Sequence, residues 1–127
     1  MMYVVTKDAP GMTWDYAQGV ISNGLVYISG QLPVDPKTKL IESKTLRGQT
    51  DRVCQNIAAI CEAARTDLNH VIKTTCYISN INDEEEFNEV YMRYFEKSDA
   101  AKTLVEARLP KGALCMIEAV AEIDSND

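Results

Sequence analysis

TLVEARLPKGALCMIEAVAEI, residues 103–123, is the stretch with the clearest structural pattern in the chain. A turn lies at its centre, where Pro110 fixes φ and Gly112 tolerates a positive φ. Residues 113–123 form the most apolar run of the sequence. Because their odd-numbered positions are all apolar and their even-numbered positions mostly so, they predict a sheet-core strand with both faces largely covered.

Glu118 stands in the middle of the even-numbered face of this predicted strand. A carboxylate in largely apolar surroundings has to be paired or functional, because an isolated buried charge is costly. Two interpretations follow: Glu118 is an acid/base group near a site, or it is a solvated or ion-paired carboxylate at an interface.

Length and charge limit the classes of protein that the chain can represent. Its 127 residues predict one domain, 1–127, with a core of its own. A net charge of −6 without any Lys/Arg cluster argues against binding to nucleic acid. No apolar run approaches the roughly 20 residues of a membrane-spanning helix, and the N-terminus lacks a signal-peptide pattern. We therefore expect a cytoplasmic protein without a membrane partner.

Cysteine and histidine spacing predicts neither a metal site nor a cofactor site. Cys54, Cys61, Cys76 and Cys115 form no CxxC pair, and the single histidine, His70, has no cysteine beside it. The sequence also lacks a Gly-rich phosphate loop and the GxSxG and HExxH patterns. We expect four free thiols that act as small hydrophobic side chains.

Four further strands are predicted ahead of the C-terminal stretch. VISNGLVYIS, residues 20–29, predicts a hairpin with Asn23-Gly24 at its tip, because a type I′ turn needs positive φ at both central residues. Residues 3–6 predict a short edge strand. VIKTTCYI, residues 71–78, predicts a central strand because it is rich in β-branched residues.

Two amphipathic helices are also predicted. The first begins near the N-cap Thr45 and carries an apolar stripe to about Arg65. Asn82 is predicted to cap the second helix, with Glu85 completing a capping box. The apolar face of that helix consists of Phe87, Val90, Tyr91, Tyr94 and Phe95.

The predicted order is β-β-β-α-β-α-β-β, which indicates an α+β sandwich with two helices on one face of a mixed sheet. Two helices cannot cover both faces of the sheet, yet the last strand is largely apolar on both. The pattern therefore predicts that a partner, most simply another copy of the chain, covers the second face.

Several segments together resemble the RidA/YjgF family, and the similarity is collinear over nearly the whole chain. They are YAQG at 16–19, VYISGQLP at 26–33, VIKTT at 71–75, Phe87-Asn88 with Tyr91, EARLPK at 106–111 and IEAVA at 117–121.

The resemblance implies a chorismate-mutase-like α+β fold and a homotrimer whose sheets line a central β-barrel. It implies three clefts between subunits that hold a small molecule of the imino or oxo acid class. In these clefts many members hydrolyse reactive 2-imino acids, such as 2-iminobutanoate and 2-iminopropanoate, to 2-oxo acids and ammonia. No cofactor is implied.

The resemblance also implies a set of ligand-binding residues in the cleft. Alignment on Arg108-Leu-Pro110 places Ala101 where the family has its carboxylate-binding Arg. It places Met116 where the family has its catalytic carboxylate. The whole cleft set is then Tyr16, Ser29, Gly30, Asn88, Ala101, Thr103 and Met116.

Three neighbours are candidates for the missing catalytic groups: Lys102, Thr103 and Glu118. Lys102 follows Ala101, but successive strand residues face opposite sides. It would reach the cleft only through a bulge or a one-residue slip in register. Thr103 stands where many members have Cys or Thr. Glu118 shares the strand face of Met116.

Other polar and aromatic residues allow two interpretations each. Arg108 is either a second cation at the cleft mouth or a structural residue that pairs with an acid at the turn. Trp14 and Tyr16 form either an aromatic lid or part of the core. His70, at the start of a strand, is expected to be solvated at the surface.

Two classes of function remain open. The chain is a cleft enzyme, an imine or enamine deaminase that acts on C–N bonds, or it is a trimer that binds a small metabolite without turnover. The missing Arg and carboxylate favour binding, whereas Tyr16 and Ser29-Gly30 are retained from the family's cleft. Action on RNA, which an older family name of translation initiation inhibitor suggests, is disfavoured by the acidic charge balance.

Overall fold

The structure is a computed structural model, and it describes residues 1–11 and 17–123. Its helices and strands follow the predicted order. They are β1 (Met2–Val4), β2 (Gly19–Ser22), β3 (Leu25–Gln31), α1 (Leu46–Ala63), β4 (Val71–Ile78), α2 (Glu84–Phe95), β5 (Ala101–Glu106) and β6 (Cys115–Glu122).

The six strands form one mixed sheet in the order β1-β2-β3-β6-β4-β5. Only β4 and β5 are parallel; every other neighbouring pair is antiparallel. The helix α1 packs on β3 and β6, while α2 packs beside α1 and reaches β4, where the Tyr91 and Thr74 hydroxyls are 2.7 Å apart. Both helices therefore cover the same face of the sheet, as predicted.

The hairpin between β2 and β3 confirms the Asn-Gly prediction. Asn23 and Gly24 have φ values of 53° and 79°, which a type I′ turn requires. The predicted edge strand is also present, because β1 pairs with β2 at the end of the sheet.

The start of α1 agrees with the prediction, whereas the start of α2 corrects it. Thr45 Oγ1 accepts a hydrogen bond from the Gly48 amide at 3.1 Å. Asn82 does not cap α2. It lies in the 3₁₀ turn Ile81–Asp83, and its backbone N–H donates to Asn80 Oδ1 at 3.0 Å. The helix begins two residues later, because this turn already uses the Asn80 side chain as its cap.

The faces of β6 differ as the alternation indicated. Cys115, Ile117, Ala119 and Ala121 point to the helices and are at most 3% exposed. The even-numbered side chains from Leu114 to Val120 are half-buried in the single chain. The even-numbered side chains of β6 are therefore still partly exposed to solvent in the single chain.

All four cysteines are free and buried, as the sequence predicted. Burial raises the pKa of Cys61 and Cys115 to about 12 and that of Cys76 to about 11. These thiols are protonated at neutral pH and act as apolar side chains.

The turn before β6 is the short 3₁₀ helix Pro110–Gly112, in which Lys111 and Gly112 have φ values of 61° and 69°. Gly112 thus takes the predicted positive φ. Arg108 is exposed and forms no ion pair with any described residue, so the structure does not support its interpretation as a turn-fixing partner of an acid. His70 is exposed beside Asp67, with Nδ1 at 2.8 Å from Oδ1.

Within the described residues, no helix is both long and apolar enough to cross a membrane.

Candidate functional site

The sheet face opposite the helices, called the open face below, carries the candidate site on three adjacent strands. The buried Thr74, Cys76 and Ile78 of β4 point to the helices, so the intervening side chains point away from them. Strand pairing then sets three rows across β5, β4 and β6: Ala101–Lys73–Val120, Thr103–Thr75–Glu118 and Val105–Tyr77–Met116.

The first row places a cation beside Ala101. Lys73 lies directly opposite Ala101 in the parallel β4–β5 pair. Its Nζ donates a hydrogen bond to Thr103 Oγ1 at 2.7 Å, one row along the strands. Position 101, where the resemblance implies a carboxylate-binding Arg, therefore has an ammonium group on the neighbouring strand.

The carboxylate of Glu118 is engaged by a phenol. Tyr77 Oη donates to Glu118 Oε1 at 2.8 Å, diagonally across the β4–β6 pair. This hydrogen bond, followed by partial burial, raises the pKa of Tyr77 above its ordinary value. Glu118 is thus a paired, half-buried carboxylate on the open face, and no cation lies within 4.0 Å of it in the described chain.

A bulge in β3 brings Gly30 against Met116. The register between β3 and β6 shifts between Ile28 and Gln31, so Ser29 and Gly30 occupy the irregular position. A Cβ at Gly30 would lie 3.0 Å from the Met116 sulfur. A side chain at position 30 would therefore crowd Met116, whose thioether would have to shift.

Ser29 links this bulge to the segment that precedes β2. Its Oγ donates to the Ala17 carbonyl at 2.5 Å, and its amide donates to the Gln18 carbonyl at 2.9 Å. Tyr16 and Trp14, the predicted cleft and lid residues, lie outside the described residues.

Lys102 and Asn88 lie together on the helix side of the sheet. Lys102 is opposite Thr74 in β4, and its Nζ donates to Asn88 Oδ1. The same Nζ lies 4.3 Å from the centre of the Tyr91 ring, within the range of a cation–π interaction. Neither the bulge nor the register slip that would turn Lys102 towards Ala101 is present in the β4–β5 pairing. Strand alternation therefore rules out a place for Lys102 on the open face of its own chain.

One chain thus assembles part of the predicted set. Ala101, Thr103, Glu118, Met116 and Gly30 share the open face or its edge. Lys102 and Asn88 are on the opposite face. Among the described residues, no three His, Cys, Asp or Glu side chains are grouped as a metal site would need.

The sequence interpretation missed Lys73, Thr75 and Tyr77. The signal was available, since residues 71–78 were predicted as a strand and period-two alternation puts these three on one face. The missing information was the neighbour: no local pattern indicated that β4 lies between β5 and β6.

Comparison with known proteins gives consistent results for the whole chain. The family model described as Endoribonuclease L-PSP matches residues 6–123. A RutC family protein of Pyrococcus horikoshii is 44% identical over 119 residues, 93% of this chain and 94% of the relative. Human 2-iminobutanoate/2-iminopropanoate deaminase is 36% identical over 119 residues, 93% of this chain and 87% of the human protein.

A solved structure supports the same assignment. The crystal structure of RidA from the Antarctic bacterium Psychrobacter sp. PAMC 21119 superposes with a TM-score of 0.92 at 35% identity, covering 97% of this chain and all of the other. The mixed sheet with two helices on one face is therefore the fold of these proteins. The collinear motifs, the matching family model and these relatives agree. The chain belongs to the RidA/YjgF family.

Proposed function

We propose that this chain forms a cytoplasmic homotrimer that binds a small 2-oxo or 2-imino acid in clefts between subunits, with slow or no turnover of simple 2-imino acids. The name of the human relative, a deaminase of 2-iminobutanoate and 2-iminopropanoate, supports the ligand class. The weak turnover is supported by Ala101 and Met116, which are uncharged where the resemblance implies an Arg and a carboxylate.

The open face supports assembly. Tyr27 and Val105 on this face are 48% and 38% exposed in the single chain, and the even-numbered side of β6 is half-buried. Apolar side chains on one sheet face favour contact with an identical copy, and closing three sheets around an axis would cover them. A barrel of three sheets is part of the proposal.

The absence of charge at two positions is the observation that carries the proposed weak turnover. Charge-assisted hydrogen bonds to a carboxylate contribute about 1.5–3 kcal/mol each, and Ala101 supplies none. General acid–base catalysis is typically worth about 10²–10⁴-fold in rate, and the Met116 thioether cannot supply it. Both losses act on the same small substrate, which has no remote group to recover binding energy.

The Glu118–Tyr77 pair favours a second candidate function, residual hydrolysis at a shifted position. In this reaction a water oxygen adds to the imine carbon while Glu118 takes one proton from the water. Glu118 returns this proton to the nitrogen, the new hydroxyl group passes its own proton to the nitrogen, and the C–N bond breaks. Ammonia leaves as the C=O bond of the 2-oxo acid forms. Tyr77 would hold the carboxylate in place for this proton transfer.

Action on RNA is less well supported, although the matching family model carries an endoribonuclease description. The chain has a net charge of −6 and one histidine. That histidine contacts Asp67 in a surface turn. Phosphate binding draws on clusters of basic side chains, and the sequence has no Lys/Arg cluster.

The test measures ammonia release from 2-iminopropanoate and 2-iminobutanoate generated in situ. We expect the wild type to exceed a buffer blank only slightly. The double variant Ala101→Arg, Met116→Glu should be faster, since it restores a guanidinium and a carboxylate beside Gly30. Wild-type turnover equal to that of an Arg-containing family member would disprove the assignment of these two positions.

A pair of glutamate variants separates the two candidates. Glu118→Gln should abolish any residual turnover if Glu118 transfers the proton. Glu122→Gln, the matched change at the exposed end of the same strand, should not. Equal residual rates in the wild type and in Glu118→Gln would exclude the second candidate.

A further inference from the structure

Lys73 is a cation of the open face that donates to a neutral partner, whereas two arginines of α1 pair with carboxylates. Arg47 contacts Glu86 and Glu89, and Arg52 lies 4.0 Å from Asp35. Lys73 Nζ contacts the Thr103 hydroxyl, and no described carboxylate lies within 4.0 Å of it. An ammonium group has three donors, so two remain for a ligand.

The pairing of β4 with β5 fixes where this ammonium lies. Lys73 is opposite Ala101, and its side chain extends along the strands to Thr103. Ala101 carries a methyl group and no charge, and β5 is the edge strand of the sheet, so Lys73 supplies the cation of this row. Thr103 accepts from Lys73, and its own proton is free to donate to the same ligand.

Glu118, a carboxylate, lies in the same row as Thr103 on the open face. Thr75 separates Thr103 from Glu118, and neighbouring strands lie about 4.8 Å apart. Two such spacings, about 10 Å, separate the Thr103 and Glu118 backbones, so the Lys73 ammonium and the Glu118 carboxylate are two separate polar groups of the open face.

We propose that Lys73 Nζ, together with Thr103 Oγ1, binds the ligand's carboxylate in place of the cation that position 101 lacks. The inference rests on the proposed function and deepens it by naming the binding group. An ammonium is a point charge without the two-pronged geometry of a guanidinium, so it fixes the carboxylate without fixing its plane. The site therefore accepts small 2-oxo acids with little discrimination between carboxylate orientations.

The experiment measures dissociation constants for 2-oxobutanoate and for its neutral methyl ester by calorimetry. The variants are Lys73→Met, Lys73→Arg and the charge-matched control Lys97→Met, which changes an exposed lysine after α2. Circular dichroism and light scattering verify that each variant keeps the fold and the mass of the wild type.

We expect Lys73→Met to weaken binding of the acid about 10- to 100-fold, the size of one charge-assisted hydrogen bond. Binding of the ester should not change, Lys73→Arg should recover most of the affinity, and Lys97→Met should equal the wild type. The loss of acid-over-ester preference is a result that a merely structural role for Lys73 would not give.

Three outcomes would overturn the inference. If the wild type binds the acid and Lys73→Met binds it equally well, Lys73 is not the cation, while the proposed function stands. If Lys73→Met weakens acid and ester alike, its role is structural. If the wild type binds neither compound at millimolar concentration, the proposed function and this inference both fail.

Discussion

The two faces of the sheet are built under different constraints. On the helix side, packing fixes both apolar and polar groups: Ile117 is fully buried, and the Thr74 hydroxyl pairs with Tyr91 at 2.7 Å. On the open face, Lys73, Glu118 and Tyr77 remain partly accessible among apolar neighbours. The difference indicates that the helix side stabilises the chain, whereas the open face is only partly covered in the single chain.

The largest effect is expected from a charge on the open face. Val120→Asp should convert a trimer of about three times 14.2 kDa into a monomer, because three buried carboxylates would face one another. Light scattering at micromolar concentration measures the mass, and circular dichroism verifies that the chain stays folded. A wild-type monomer would remove the basis for the assembly proposal.

A cavity on the helix side should cost the most stability. Ile117→Ala removes a fully buried side chain from β6 and should lower the free energy of unfolding by about 2–5 kcal/mol. Urea denaturation measures the change. Ile72→Ala is the control, since that side chain is 41% exposed and its loss should cost only about 1 kcal/mol. Equal losses would show that the helix side is not the stabilising face.

Alkaline pH should also act on the helix side. The pKa values of Cys61 and Cys115 are raised by burial to about 12, above the ordinary value near 9. As pH rises, the thiols of the unfolded chain therefore lose their protons before those of the folded chain. The free energy of unfolding keeps its full value below about pH 9 and decreases as pH rises towards 12. We expect a loss of about 2 kcal/mol or more by pH 10.5.

Urea titrations at pH 8 and pH 10.5 measure this loss. Cys61→Ala should show a smaller decrease between the two pH values than the wild type, because one titrating thiol is removed. A wild type whose stability does not change up to pH 10.5 would contradict the burial of the thiols.

The smallest effect concerns the lysine on the helix side. Lys102→Met removes the hydrogen bond to Asn88 and the contact with the Tyr91 ring. It should lower stability by about 0.5–1 kcal/mol, as expected for a partly exposed cation–π contact. Thermal unfolding measures this. A large loss of 2-oxobutanoate binding in Lys102→Met would show that Lys102 contacts ligand in the assembled protein.

Local patterns predicted most of the fold. The Asn23-Gly24 hairpin, the Thr45 cap and the strand at residues 71–78 depend on neighbours within a few residues, and all three are confirmed. The predicted Asn82 cap failed because Asn80 forms the competing turn just ahead of it. Two candidate asparagine caps separated by one residue cannot be ranked by pattern alone.

The candidate site was only partly predictable. Alternation placed Ala101 and Thr103 on one side of β5, and the resemblance supplied their meaning. Alternation within β5 could not predict that Lys73 lies beside Ala101. Which residue lies opposite Ala101 depends on the order of the strands in the sheet and not on distance along the sequence. Long-range pairing is the information that a single sequence lacks.

The position of β6 has a consequence for synthesis on the ribosome. The last strand of the described chain lies between β3 and β4, so it joins the β1-β2-β3 unit to the β4-β5 pair. Until residues 115–122 leave the exit tunnel, the nascent chain has two sheet fragments with unpaired edges. The complete sheet can therefore form only after β6 has been synthesised. Ribosome pausing before β6 would prolong the period in which those edges can aggregate.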